Sequence, residues 1–309
     1  MSEGGYVGRF APSPTGRLHI GSLLAALASY CDARHHGGQW RVRMEDLDPP
    51  REIRGAADDI LNTLERFGFE WDGEVEYQSR RHGLYRDALE TLKEAGLAYP
   101  CGCSRRDWSG QAVYPGTCRG GLPAGRTERL FRFRMGSGRV AWMDRFAGPQ
   151  DMACGPLGDF PVLRADGHWA YQLAVVVDDM QQKVNHVVRG ADLLDCTPGQ
   201  MLLWNALSTG ENRPSVPAYA HAPVLNNALG QKLSKQTRAR PIEGSGLKAT
   251  ELIDLVWRLL GQRAHEEWLE AVAVGAPSAL LRVAVRSWSQ DSVPSAPVQL
   301  QGWGQDELP

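Results

Sequence analysis

Apolar positions along the chain follow two rhythms. Between His19 and His36, Leu23, Leu24, Leu27 and Cys31 recur at helical spacing, and Gly37-Gly38 closes the run. The short stretches on either side, Tyr6 to Phe10 and Gln39 to Met44, predict strands. Strand, helix, strand is the opening of a parallel α/β sheet, and such sheets gather their ligands at the carboxyl ends of the strands. Helical stripes return over Arg54 to Phe67 and Arg80 to Ala95. From Tyr99 to about Leu157 the texture changes to cysteines, glycines and short alternating strands, as in an insertion; Phe131 and Phe133 alternate there with Arg132 and Arg134. Helix and strand resume from Trp169 to Thr209, where Val175-Val176-Val177 predicts a buried strand, and small helices fit Thr250 to Ser287. After Ser289 the chain is rich in Pro, Ser and Gln and predicts a weakly ordered tail.

Composition narrows the class. The 309 residues allow roughly two domains, and 42% hydrophobic with 23% charged residues is ordinary globular usage. The longest apolar run, Leu23 to Ala28, is far short of the roughly 20 residues that span a bilayer. The acidic start, Met1-Ser2-Glu3-Gly4-Gly5, has no apolar stretch behind it, so a cytoplasmic protein without membrane contact is expected, with its six cysteines reduced. A net charge of −2 excludes a basic nucleic-acid coat but leaves room for a local stripe. Seven arginines between Arg119 and Arg145 face two acids, which is either a solvated sheet face or a surface for phosphates.

The chemistry concentrates in Arg9-Phe10-Ala11-Pro12-Ser13-Pro14-Thr15-Gly16-Arg17-Leu18-His19-Ile20-Gly21-Ser22. A strand runs into a proline-stiffened loop and then into a helix start, whose free backbone amides and positive dipole end suit phosphate. His19 adds a donor there, and Gly21 lets a flat ring lie on the helix backbone. This string resembles the HIGH signature of class I aminoacyl-tRNA synthetases, in the form used by the glutamyl and glutaminyl enzymes. Arg43-Met44-Glu45-Asp46-Leu47-Asp48 is similar to that family's strand-end acidic motif, Val188-Arg189-Gly190-Ala191-Asp192 to its RG.D segment, and Lys232-Leu233-Ser234-Lys235-Gln236 to its KMSKS loop, all in family order.

The resemblance implies a Rossmann-type catalytic domain with a parallel sheet, in which an aminoacyl-adenylate is made from ATP, accompanied by Mg2+, and passed to RNA. His19 and Lys235 are its expected catalytic residues; His19, Gly21, Ser22, Lys232 and Lys235 would bind ATP. Positioning and charge stabilisation carry such chemistry. Glutamate has two carboxylates and one ammonium, so its pocket needs arginine and an acid: Arg9 and Arg189 suit the carboxylates, and Glu45 suits the ammonium. By resemblance, Arg9, Phe10, Ala11, Pro12, Ser13, Glu45, Tyr171 and Arg189 form the glutamate site.

Cys31, Cys154 and Cys196 are scattered, as small buried hydrophobes are. Cys101, Cys103 and Cys118 cluster, and three thiolates in a reduced compartment suggest structural Zn2+, which takes four ligands. Tyr114 is the candidate fourth ligand; packing, or a water completing the set, is the alternative.

The expected organisation is a first Rossmann half at 1–98, an inserted zinc-bearing subdomain in the acceptor-binding position at 99–157, a second Rossmann half at 158–245, and a short helical stem-contact-like region with a tail at 246–309. The stretch after Gln236 is too short for the anticodon-binding domains of full-length members, and Ser22 stands where HIGH has its second histidine. This combination resembles the truncated paralogues within the family. For them the implied reaction is transfer of glutamate to queuosine in the anticodon of tRNA(Asp), by a monomer. The alternatives are a truncated synthetase charging tRNA(Glu) and a non-catalytic RNA-binding paralogue, the latter disfavoured by the matched charges at Glu45, Arg189 and Lys235.

Overall fold

The computed structural model describes residues 5–209, 214–227, 230–231 and 241–300. Strand β1 (Val7–Phe10) pairs in parallel with β2 (Gln39–Met44), joined to it by helix α1 (Ile20–His35). β2 pairs in parallel with the short β3 (Glu76–Tyr77), after α2 (Ala56–Arg66), and α3 (His82–Glu94) follows. The helix predicted from His19 is α1, and the two predicted next are α2 and α3, each shorter by one or two residues at its ends.

The chain then leaves the parallel layer. β4 (Ala98–Cys101) pairs antiparallel with β5 (Leu130–Phe133), which also pairs antiparallel with β8 (Pro161–Leu163). Between the last two lies a hairpin, β6 (Arg139–Asp144) and β7 (Gly148–Ala153). This antiparallel block overlaps the stretch of changed texture from Tyr99 to about Leu157 and runs beyond it to β8.

Helix α4 (Tyr171–Gln181) returns the chain to the core, and β9 (His186–Gly190), α5 (Thr197–Leu207) and β10 (Ala218–Ala222) complete a second parallel pair. Asn185 joins the two sheets: its amide donates to the Val7 carbonyl at 3.1 Å and its side chain accepts from the Val7 amide at 2.8 Å. Val175, Val176 and Val177 lie within α4, not in a strand. They are buried because α4 packs inside the protein, and a short apolar run looks the same in a buried helix and a buried strand.

β11 (Leu225–Asn226), α6 (Ala249–Leu259), α7 (Glu266–Val274) and α8 (Pro277–Ser287) follow, and the described chain ends in β12 (Val298–Gln299). The expectation of a loose tail is corrected as far as residue 300. β12 pairs in parallel with β11, and Val293 and Leu300 are buried in the main core. That core gathers α1, β1 and β2 against α6–α8, with Trp257 and Trp268 stacked at 4.4 Å. No helix among the described residues is long and apolar enough to cross a membrane.

Candidate active site

At the carboxyl ends of β1, β2 and β9 lies a cavity of about 280 Å³, lined among others by Arg9, Ser13, His19, Glu45, Tyr171 and Arg189. Phe10, Ala11, Pro12, Gly21 and Ser22 complete its β1–α1 wall. The wall is held by backbone: the Glu45 amide donates to the Pro12 carbonyl at 3.0 Å and the Ile53 amide to the Pro14 carbonyl at 3.0 Å. His19 is the N-cap of α1, its Nδ1 accepting from the Ser22 amide at 3.2 Å while Nε2 lies 3.2 Å from Ser22 Oγ. A Cβ at Gly21 would stand 3.2 Å from the His19 ring, so glycine here gives that imidazole its room.

The two arginines of the pocket differ. Arg9 is buried and ion-paired, its Nε 3.3 Å from Asp179 Oδ1 and its Nη1 donating to the Val188 carbonyl. Asp179 is shared with Arg43, whose Nη1 reaches it at 2.8 Å and donates to Gln182 at 2.6 Å. Next to it, Asp178 accepts from Gln78, Arg81 and Tyr85 at 2.6–2.8 Å. Arg189 is also buried, but its guanidinium faces neutral acceptors: His221 Nε2 at 3.0 Å, Gln200 Oε1 at 2.6 Å, Thr197 Oγ1 at 2.8 Å, the Leu193 carbonyl at 3.2 Å and, most loosely, Tyr171 Oη at 3.4 Å. No carboxylate of the described residues lies within ion-pairing distance of it. A buried cation without a counter-ion is costly, and the cavity is where an anion could reach it.

Glu45 sits opposite, 9% exposed, with Arg43 Nη2 3.5 Å from its Oε1. Burial raises its carboxyl from the ordinary 4.5 to about 7, against the pull of Arg43 and Arg9 and with a further push from Asp179 and Asp178. Burial likewise pushes the Tyr171 phenol up. The pocket thus joins an anion-seeking guanidinium, a carboxylate that a cation would ionise, and the start of a helix.

Lys232 and Lys235 lie outside the described residues. Pro241, just beyond them, is bridged to His19, and the Ile242 amide donates to the Leu18 carbonyl at 3.0 Å. Asp178, Asp179, Gln200, Thr197 and His221 were missed by sequence reasoning. Two acids directly after Val175-Val176-Val177 were the available signal, because charges that close an apolar run need buried partners.

In the antiparallel block, the sulfurs of Cys101, Cys103 and Cys118 lie within 4.8 Å of one another, all buried, and could hold a metal ion. Tyr114 Oη is 3.3 Å from Cys101 Sγ and 3.8 Å from Cys103 Sγ. The Arg119 to Arg145 stripe is not a bare positive face. Arg119 pairs with Asp159, Arg126 with Asp107, Arg139 with Asp151 and Arg145 with Asp32, while Arg132 is buried with its guanidinium 3.8 Å from the Tyr114 ring centroid. Their acids come from outside the stripe and were invisible to a local charge count.

Comparison with known proteins agrees with this architecture. Residues 6–109 and 125–264 match the family model of tRNA synthetases class I (E and Q), catalytic domain. A glutamyl-Q tRNA(Asp) synthetase of Chromobacterium violaceum is 52% identical over 97% of this chain and 99% of its own, and one of Neisseria meningitidis serogroup B is 51% identical over 94% and 97%. The crystal structure of the glutamate-tRNA synthetase from Elizabethkingia anophelis shares the fold with a TM-score of 0.77 at 22% identity, over 96% of this chain and 68% of that one. With the family model matched across both parallel halves and relatives matched end to end, the chain belongs to the class I tRNA synthetases of the E and Q type and, within them, to the glutamyl-Q tRNA(Asp) synthetases.

Proposed function

We propose that this chain activates glutamate with ATP as glutamyl-adenylate and transfers the glutamyl group to queuosine in the anticodon of tRNA(Asp). The observation that carries the amino-acid half is Arg189, a buried guanidinium surrounded by neutral acceptors at the wall of a cavity that also holds Glu45. A substrate carboxylate supplies the missing negative charge, taking the place of the loose Tyr171 contact and accepting from the Tyr171 hydroxyl as well. Glu45 receives the ammonium, and Arg9, half-neutralised by Asp179, faces the remaining carboxylate beside Phe10, Ala11, Pro12 and Ser13.

In the activation step a carboxylate oxygen of glutamate forms a bond to the α-phosphorus, and the bond from that phosphorus to the β-phosphate breaks, releasing pyrophosphate. His19, Gly21 and Ser22 at the start of α1 would cradle the phosphates, with Lys232 and Lys235 as cations for the leaving group. Mg2+ accompanying ATP would neutralise phosphate charge. In the transfer step a hydroxyl of the queuosine ring attacks the acyl carbon, and AMP departs. This RNA half rests on the relatives' names and on the family resemblance.

Zinc held by Cys101, Cys103, Tyr114 and Cys118 would stabilise the antiparallel block. A tetrahedral ion with zinc–sulfur bonds of about 2.3 Å keeps its sulfurs about 3.8 Å apart, and Cys103 and Cys118 stand at 3.6 Å. The Arg132 Nε lies 3.4 Å from Cys101 Sγ, where it offsets thiolate charge.

The test is to supply ATP, radiolabelled glutamate, and either tRNA(Asp), with and without queuosine, or tRNA(Glu). Label is expected on queuosine-bearing tRNA(Asp) alone. Label at the 3′ end of tRNA(Glu) would overturn the proposal.

A further inference from the structure

Arg189 reaches its place through a chain of polar contacts that begins outside the parallel sheets. Asp144, the last residue of β6, is buried and accepts four times. Its Oδ1 takes the amides of Phe146, Ala147 and His221 at 3.1, 2.9 and 3.0 Å, and its Oδ2 stands 2.5 Å from His221 Nδ1. His221, on β10 and equally buried, stands with Nε2 3.0 Å from Arg189 Nε and 3.2 Å from Thr197 Oγ1.

The partners assign the tautomer. Arg189 Nε carries a hydrogen and cannot accept, so His221 Nε2 must offer a lone pair; the ring hydrogen is then on Nδ1, directed at Asp144. An imidazolium would set N–H against N–H, and burial together with the neighbouring Arg189 holds the His221 pKa below its ordinary value. The groups facing the ring from other elements are Asp144, Thr197 and Arg189, and from its own strand Tyr219 stacks on it at 6.1 Å.

We infer that Asp144 and His221 are positioning residues for amino-acid specificity: the neutral imidazole, oriented by Asp144, fixes the Nε edge of Arg189 so that the opposite edge of the guanidinium meets the substrate carboxylate. This rests on the reading of Arg189 as the carboxylate-binding group. An arginine side chain has several rotatable bonds, and one edge anchored by a ring that is itself anchored leaves little freedom to the other.

The experiment is ATP–pyrophosphate exchange on the full chain with His221→Leu, His221→Gln and Arg189→Ala. His221→Leu removes the acceptor while keeping bulk, and His221→Gln restores an acceptor near Nε2. His221→Leu is expected to raise the glutamate KM at least tenfold, with kcat and the ATP KM within about twofold, and His221→Gln to recover most of the loss. If Arg189→Ala raises the glutamate KM and His221→Leu does not, the positioning role falls while the reading of Arg189 stands. If Arg189→Ala itself leaves glutamate binding intact, that reading falls and the inference with it. Independently of any variant, nitrogen-15 spectra of the wild-type imidazole should show hydrogen on Nδ1 and none on Nε2 at pH 7; the reverse tautomer or an imidazolium would overturn the inference even if the variants fail to fold.

Discussion

Glu45→Gln should separate stability from binding. The side chain is 9% exposed and its carboxyl titrates near 7 in the substrate-free protein, against an ordinary 4.5. Because the folded protein holds that proton more tightly than the unfolded chain, stability falls as pH rises from about 4.5 to about 7 and is level above. The full cost of the ionised group is about 3 kcal/mol, at about 1.4 kcal/mol for each pH unit. Glutamine keeps the acceptor for Arg43 Nη2 and removes the charge. Urea denaturation should therefore find Glu45→Gln more stable than wild type, by a margin that grows by about 2 kcal/mol between pH 5.5 and 8.5. The same residue has to lose its proton to receive an ammonium. In the wild type the glutamate KM in pyrophosphate exchange should rise about 20-fold between pH 7.5 and 5.5, whereas in the variant it should be high and flat across that range. A wild-type KM independent of pH, or a stability difference that does not widen towards pH 8.5, would refute the reasoning.

Exchange with glutamate should proceed without tRNA, since the acceptors around Arg189 and the Arg43–Glu45 contact are already set in the free protein; strict dependence on tRNA would reject the preorganised pocket. Arg145→Met should cost about 3–5 kcal/mol in denaturant titrations, because Asp32 is fully buried and would be left with the neutral donors Tyr6 and Trp288 and with His36 no nearer than 3.9 Å. Elemental analysis should find about one zinc per chain; no metal, with three thiols freely titratable in the native protein, would defeat the zinc proposal, and an unchanged zinc affinity in Tyr114→Phe would remove the phenol from the ligand set.

What could be read from the sequence was what is local. The β1–loop–α1 segment combines a helical stripe, loop prolines and a distinctive motif within 14 residues, and it folds as expected. Val175–Val177 failed because three valines carry no period, and the deciding fact, the surroundings of α4, lies far off in the chain. The pocket's named residues came from the motifs, yet what tunes them did not. Asp179 meets Arg9 across 170 positions, Asp144 meets His221 across 77, and Arg145 meets Asp32 across 113. A count of seven arginines against two acids could not foresee partners so distant, which is why a stretch read as a charged face became mostly ion pairs.

The end of β6 bears on how far the antiparallel block can be exchanged between relatives. Asp144 and Arg145 are adjacent, but one is spent on His221 in β10 and the other on Asp32 in α1, with Gln290 completing the second contact at 2.5 Å. The Arg145 amide also donates to the Tyr219 carbonyl at 2.9 Å. Two successive residues therefore rivet the hairpin to both parallel halves at once. A transplant of the cysteine-bearing segment that stops before β6 leaves these rivets in place but parts β5 from β8, and Tyr99 and Arg119 from the buried Asp159. A transplant that includes the hairpin must bring the same Asp-Arg pair, or it strands a buried imidazole and a buried carboxylate in the recipient. The block therefore has no free downstream edge: cut before Arg139 it loses β8 and Asp159, and cut after β8 it has to carry the Asp144-Arg145 pair with it.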